Sequence, residues 1–315
     1  MDFKNKKILV IGAGISGFAA AKIAKKFGAE VILSDAKAEQ DIKFDFSDLR
    51  DIGINLIFGK QTENLLDGVD MIILSPAVPV KIPIVQAALA KKISVISEVE
   101  LAFDLAQSPI FAITGTNGKT TTTTLLGLLL ETAYKKVGVG GNIGTALSEV
   151  ALEIGEGGAI AAEISSYQME VTKNFKPKVS AILNITPDHL KRHGTMKIYQ
   201  AMKEKIFAQE SAEDFFVLNY DDELVREIKN RAHCKVFYFS RKIEIDEGAF
   251  VKNNSLVIKV GGKIFELCKI DELGIKGGHN VENALAASMV AFLAGAEAEK
   301  ISEVLKSFQG VEHRI

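Results

Sequence analysis

Twice along this chain a short apolar run ends in a glycine-rich turn that opens directly into a helical pattern. The first instance is Ile8-Leu-Val-Ile11, then Gly12-Ala-Gly14-Ile15-Ser16-Gly17, then an amphipathic stretch over residues 18–27. The second is Ile110-Phe-Ala-Ile113, then Gly115-Thr116-Asn117-Gly118-Lys119-Thr120, then a helical pattern over 121–131. Strand, glycine turn and helix in that order begin a right-handed βα crossover. Glycine lets the backbone approach a ligand closely, and the helix N-terminus turns its unpaired N–H groups toward an anion. At roughly 100–200 residues per domain, 315 residues hold two such units.

The intervening texture agrees. Val31-Ile-Leu33 ending at Asp35, Met71-Ile-Ile-Leu74 and Ser94-Val-Ile96 alternate with helical segments, the pattern of a parallel sheet. At Ser108-Pro109 the pattern restarts, so we expect a Rossmann-like domain over 1–97 and a P-loop NTPase-like domain over 98–309, with 310–315 opening a linker. In the second domain Ala159-Ile-Ala-Ala162 and residues 179–185 read as buried strands, and 235–267 as a small β-rich part. Its hairpin turns at Gly261-Gly262. Helices are expected over 281–294 and 299–308.

Composition narrows the function classes. Lys plus Arg (38) nearly balances Asp plus Glu (40), so the net charge of −2 gives no global attraction for nucleic acid or an anionic membrane, and phosphate binding must be local. The two cysteines, Cys234 and Cys268, do not form a disulfide scaffold or a metal knuckle. Lys4, Lys6 and Lys7 before an apolar stretch resemble a signal peptide. The glycines interrupting that stretch, and Lys22, Lys25 and Lys26 after it, argue instead for a cytoplasmic protein.

The first turn, with Asp35 ending the next strand 18 residues after Gly17, is a dinucleotide-binding fingerprint, specific for the fold more than for the ligand. Alone it supports an NAD-dependent oxidoreductase, but that reading leaves the second turn unexplained. In the second turn, backbone amides, the helix dipole and Lys119 suit a triphosphate, and the Thr120 hydroxyl suits Mg²⁺. The loop is two residues shorter than GxxxxGKT.

Two later strands end on the same sheet edge. One carries Glu163 followed by Ile164-Ser165-Ser166-Tyr167-Gln168, the other Asn184-Ile-Thr-Pro-Asp188-His189. Singly, Glu163 also reads as a helix N-terminal charge and His189 as a turn residue; together they suit Mg²⁺ beside phosphate. Asn280 and Asn283 lie one turn apart at a helix start, with Asn280 a natural N-cap. Lys203, among other lysines, reads from composition as a solvated surface residue.

In this order these strings, with Ser75-Pro76-Ala-Val-Pro79, Gly140-Gly-Asn142-Ile-Gly144, Gly278-His-Asn-Val-Glu-Asn283 and His313-Arg314, resemble the Mur ligase family over the whole chain. The resemblance implies an ATP-dependent, ADP-forming acid–amino-acid ligase of peptidoglycan precursor synthesis. It would add D-glutamate to UDP-N-acetylmuramoyl-L-alanine through an acyl phosphate; sibling ligases that add L-alanine or act on folylpolyglutamate are the nearest alternatives. It implies that Gly14, Ile15, Ser16, Asp35, Lys37, Ser75 and Pro76 hold the UDP part, and Asn142, Ser165 and Gln168 the rest of that substrate. Gly115, Thr116, Asn117, Gly118, Lys119, Thr120, Thr121, Asn280, Asn283 and Arg314 would hold ATP. Thr120, Glu163, His189 and Lys203 as a carbamate would hold Mg²⁺, with Lys119, Lys203 and His189 catalytic. It further implies a monomer. The chain ends where the family's third domain would begin, so the expectation is substrate binding without turnover.

Overall fold

The computed structural model describes residues 2–311. The chain divides into two compact units: one contains the residues up to Ala106 with Thr145–Leu152 and Tyr167–Phe175, the other Gln107–Gly144, Glu153–Ser166 and the residues from Lys176 on.

The first unit runs β1 (Lys7–Ile11), α1 (Ile15–Lys26), β2 (Glu30–Asp35), α2 (Ser47–Asp51) and β3 (Asn55–Phe58). It continues with β4 (Met71–Leu74), α3 (Pro83–Ala90), β5 (Ser94–Ser97) and α4 (Glu98–Leu105). Its five strands lie in the order β3-β2-β1-β4-β5, all parallel. That is the Rossmann order, with the chain reversing direction across the sheet between β1 and β4, where ligands of such sheets bind. Ile8, Val10, Leu33 and Ile73 face one layer of the core; Leu9, Ile11, Ile72 and Leu74 face the other. Both faces are covered, which explains runs that are apolar throughout rather than alternating.

The second unit begins with β6 (Ile110–Thr114), α5 (Lys119–Leu130), β7 (Val137–Gly141) and α6 (Leu147–Ile154), the last running across the division between units. Then come β8 (Ala159–Glu163), β9 (Val179–Ile182), α7 (Leu190–His193), α8 (Met196–Glu204), β10 (Phe215–Asn219) and α9 (Glu223–Arg226). It closes with β11 (Lys235–Ser240), β12 (Gly248–Lys252), β13 (Ser255–Val260), β14 (Lys263–Lys269), α10 (Gly278–Leu293) and α11 (Ala298–Ser307). The nine-stranded sheet has the order β14-β13-β12-β11-β10-β9-β6-β8-β7. β12 to β14 pair antiparallel, and β11 pairs parallel with β12. The β-rich part is therefore an extension of the main sheet. Its hairpin turns through Gly261 (φ +59°) and Gly262 (φ +77°), the paired left-handed residues of a type I′ turn.

Helix α5 carries a run of threonines, poor helix formers, and is held by packing. Leu125, Leu126, Leu129 and Leu130 are fully buried in a core shared with α10. The alanines Ala284, Ala286, Ala287 and Ala291 let α10 lie close. Helix α10 starts at Gly278 with Gly277 as its N-cap, so Asn280 sits inside the first turn and is not the cap. Among the described residues no helix is long and apolar enough to cross a membrane.

Candidate functional site

The glycine loop after β6 lies between strands that bring chemistry to the same edge. β6 pairs with β8, which ends in Glu163, and with β9, whose continuation carries Asn184 to His189. Gly118 adopts φ +84°, and a Cβ there would overlap the Asn283 side-chain oxygen. Gly118→Ala is therefore expected to cost roughly 1–3 kcal/mol in chemical denaturation and to displace the start of α5. That helix begins at Lys119, and the first intrahelical bond runs from Thr122 N–H to Gly118 C=O. The N–H groups of Lys119, Thr120 and Thr121 thus precede the helical ladder and are available to an anion.

The amides of Thr116 and Asn117 are engaged differently: both donate to Asn184 Oδ1, at 3.0 and 2.8 Å. The Thr116 hydroxyl accepts from Thr186 N–H at 3.0 Å and lies 3.1 Å from the Tyr199 hydroxyl. Lys119 Nζ donates to Thr116 C=O at 2.8 Å. Burial holds its ammonium below the usual lysine range, with the Glu163 and Asp188 carboxylates opposing that shift.

Glu163, the last residue of β8, is 2% exposed. One carboxylate oxygen accepts from the Thr120 hydroxyl and the other from Asn142 Nδ2, each at 2.8 Å. His189 has φ +54° and lies half open to solvent, its Nδ1 3.5 Å from Asp188 and its ring edge-on to Tyr199. Among the described residues no three or more His, Cys, Asp and Glu side chains gather as for a self-contained metal site.

The reading of Lys203 as a solvated surface residue is overturned. Its side chain points inward from α8, is 2% exposed, and donates to Gly115 C=O at 2.7 Å while standing over the Tyr199 ring. Burial, then the neighbouring Lys119 charge, pushes its amine down to about 7; Asp188 and Glu163 pull the other way. Clustered lysines in the sequence concealed this, because the amphipathic period of a nine-residue helix does not reveal which face carries a paired amine.

Beside the loop a cavity of about 450 Å³ is lined by Gly118, Thr121, Asn280 and Asn283, with Lys276, His279 and Gln309, which sequence reasoning did not single out. Asn283 Nδ2 donates to Asn280 Oδ1 at 3.2 Å, so the two amides do share a face. Arg314 lies outside the described residues. Ser165 belongs to the second unit and is half-buried; Gln168 belongs to the first and is buried.

The first unit has its own cavity, about 740 Å³, at the carboxyl ends of β1, β2 and β4. Gly14, Asp35, Lys37 and Ser75 line it, as do Phe44 and Gln61, which carry no sequence motif; Ile15, Ser16 and Pro76 are not among its lining residues. Gly12 has φ +99°, and a Cβ there would lie 2.6 Å from that of Ser75. Asp35 ties the turn down: its two oxygens accept from Ala13 N–H at 2.8 Å and Lys37 N–H at 2.9 Å.

Residues 6–97 match the family model described as Mur ligase MurD-like, N-terminal domain, and residues 113–291 the Mur ligase middle domain. The chain is 47% identical over 315 residues to the UDP-N-acetylmuramoylalanine–D-glutamate ligase of Thermoanaerobacter sp. (strain X514), covering all of this chain and 69% of that protein. It is 42% identical over 316 residues to the same-named ligase of Clostridioides difficile (strain 630), covering 70% of it. In fold it is similar to the UDP-N-acetylmuramate:L-alanyl-gamma-D-glutamyl-meso-diaminopimelate ligase of Neisseria meningitides, with a TM-score of 0.66 at 22% identity over 98% of this chain and 99% of that one. It is also similar to UDP-N-acetylmuramate-alanine ligase of Thermotoga maritima, with a TM-score of 0.58 at 25% identity over 97% and 69%. With the two matched regions covering more than half of the chain, and a relative 47% identical over the whole of it, this chain belongs to the Mur ligase family.

Proposed function

We propose that this chain serves the ATP-dependent addition of D-glutamate to UDP-N-acetylmuramoyl-L-alanine, binding the UDP part in the cavity of the first unit and ATP on the glycine loop of the second. The observation that carries the reading is the gathering of Lys119, buried Lys203 and the Thr120–Glu163 pair around one helix N-terminus. In the reaction the alanine carboxylate attacks the γ-phosphorus, ADP leaves, and the amine of D-glutamate displaces phosphate from the acyl phosphate. Each step places several negative charges at one point, and the N–H groups opening α5 and the Lys119 ammonium supply fixed positive ends there. Asn280 and Asn283, on the cavity beside the loop, suit the nucleoside end of ATP.

The residues fit magnesium of the kind that is completed by phosphate oxygens and needs only one or two oxygens from protein. Thr120 and the buried Glu163 are hard oxygen donors at the helix start, and His189 and a carbamate on Lys203 are the further candidates. Bound there, the ion would neutralise charge on the transferring phosphoryl group. A lysine amine pushed down to about 7 is about half uncharged at neutral pH, and the uncharged form is the one that combines with CO2 to give a carbamate.

In the first unit, Asp35 has both oxygens on backbone amides, so it shapes the turn and leaves Lys37, Ser75 and Gln61 to face a uridine diphosphate. A thermal-shift titration tests the reading. UDP-N-acetylmuramoyl-L-alanine and ATP–Mg²⁺ are each expected to raise Tm saturably, and NAD⁺ to leave it unchanged. A shift with NAD⁺ alone would revive the oxidoreductase.

A further inference from the structure

The shortened glycine loop is held in shape by a side chain from the next strand. Asn184 follows β9 by two residues, and β9 pairs with β6 up to Thr114 and Ile182, which delivers the Asn184 carboxamide beside the loop. Its Oδ1 accepts from the consecutive N–H groups of Thr116 (3.0 Å) and Asn117 (2.8 Å), and its Nδ2 donates to Asn117 C=O at 3.0 Å. Thr116 N–H is shared with the Asn184 backbone carbonyl, also at 3.0 Å. The amide orientation is fixed by chemistry. Reversed, its NH2 would face two N–H donors and its oxygen a carbonyl.

Two consecutive backbone N–H groups converging on one oxygen form a nest, the arrangement that elsewhere receives an anion. Here a neutral amide oxygen fills it. We propose that Asn184 is a positioning residue for the triphosphate: it occupies the loop's nest and fixes the Asn117 peptide, so that the N–H groups of Lys119 to Thr121 and the Lys119 ammonium meet the phosphates in a preformed geometry. The inference rests on the nucleotide reading given above. Its physical logic is pre-organisation, since a loop already in its bound shape loses little conformational freedom when the ligand arrives. Gly115 C=O and the Thr116 hydroxyl are held by Lys203, Thr186 and Tyr199, but it is Asn184 that reaches Asn117, next to Gly118 where the chain turns into α5.

Calorimetric titration of the whole chain with ATP–Mg²⁺, ADP–Mg²⁺ and adenosine separates positioning from general damage. Asn184→Ala removes all three side-chain bonds; ATP and ADP are expected to bind at least about tenfold more weakly, with adenosine within about twofold of the unsubstituted chain. Asn184→Asp keeps both accepted bonds, and so the fold, but sets a carboxylate against Asn117 C=O and beside the phosphates. Its loss for ATP is expected to exceed its loss for ADP and to shrink with added salt. Unchanged ATP affinity in both variants, or equal losses for ATP and adenosine, would overturn the proposal. An unsubstituted chain that binds no ATP would overturn the nucleotide reading itself, a separate and recognisable failure.

Discussion

Lys119→Ala is expected to weaken ATP–Mg²⁺ binding on the order of a hundredfold, while the response to UDP-N-acetylmuramoyl-L-alanine stays as it was. Lys119 opens α5, and its side-chain ammonium donates to Thr116 C=O within its own loop. Little of the fold hangs on it, so Tm without ligand should move by no more than a few degrees. What is lost is a partly desolvated ammonium at the helix start where we propose that the phosphates bind; a charge-assisted bond there is worth about 1.5–3 kcal/mol, with the attraction over the remaining phosphate charge added to it. A second consequence has a definite sign. Lys119 is one of the charges that hold the Lys203 amine down, so its removal lets that amine rise toward the ordinary lysine range. Less of Lys203 is then uncharged at neutral pH. Calorimetry on the two chains measures the affinity, and an unchanged Kd would remove Lys119 from the nucleotide site.

The second large effect is on stability and concerns a residue away from the loop. Glu210 is 5% exposed; one oxygen accepts from the Cys234 thiol at 2.9 Å, and the Ser180 hydroxyl also acts on the carboxyl. Burial pushes its carboxyl up to about 8 from 4.5. The unfolded chain therefore releases this proton near pH 4.5 and the folded chain near 8, so between those values the folded state binds more protons and stability falls as pH rises. The stability is fully present below the unfolded value and drops by an amount on the order of 5 kcal/mol by pH 9. Glu210→Gln, which cannot ionise, is expected to remove that fall and to be more stable than the parent at pH 8–9 in urea denaturation. Glu98 of the first unit, pushed up to about 7 by complete burial, adds a fall of the same sign that the variant retains. A variant with the parent's full pH dependence would contradict the assignment to Glu210.

Much of this molecule was legible because its signals are backbone signals. Both glycine turns, the strands feeding them and the Gly261-Gly262 hairpin follow from apolar runs and from residues that tolerate positive φ, which are local properties. Other elements left no such mark. β7 reads Val-Gly-Val-Gly-Gly, a composition that disfavours strand, and it forms because it pairs with β8 and because Gly127 of α5 gives Val139 room. The candidate site was legible as a set of residue types at strand ends, and the hydrogen-bond partners of those residues were not. That Asp35 braces the first turn, that Lys203 is buried on Gly115, and that Asn184 fills the loop's nest are tertiary facts. Each depends on which strand lies beside which.

We propose that the substrates divide between the units, the UDP-sugar on the first and ATP on the second. Hydrogen exchange read by mass spectrometry, with each ligand added separately, tests it most directly. UDP-N-acetylmuramoyl-L-alanine is expected to slow exchange in peptides covering residues 12–16, 35–44 and 75–84. ATP–Mg²⁺ should slow it at 118–121 and 276–283, with Thr116 and Asn117 already slow before any ligand is added because Asn184 holds their amides. Protection of the 12–16 turn by ATP, or of the Lys119 loop by the UDP-sugar in its place, would contradict the account.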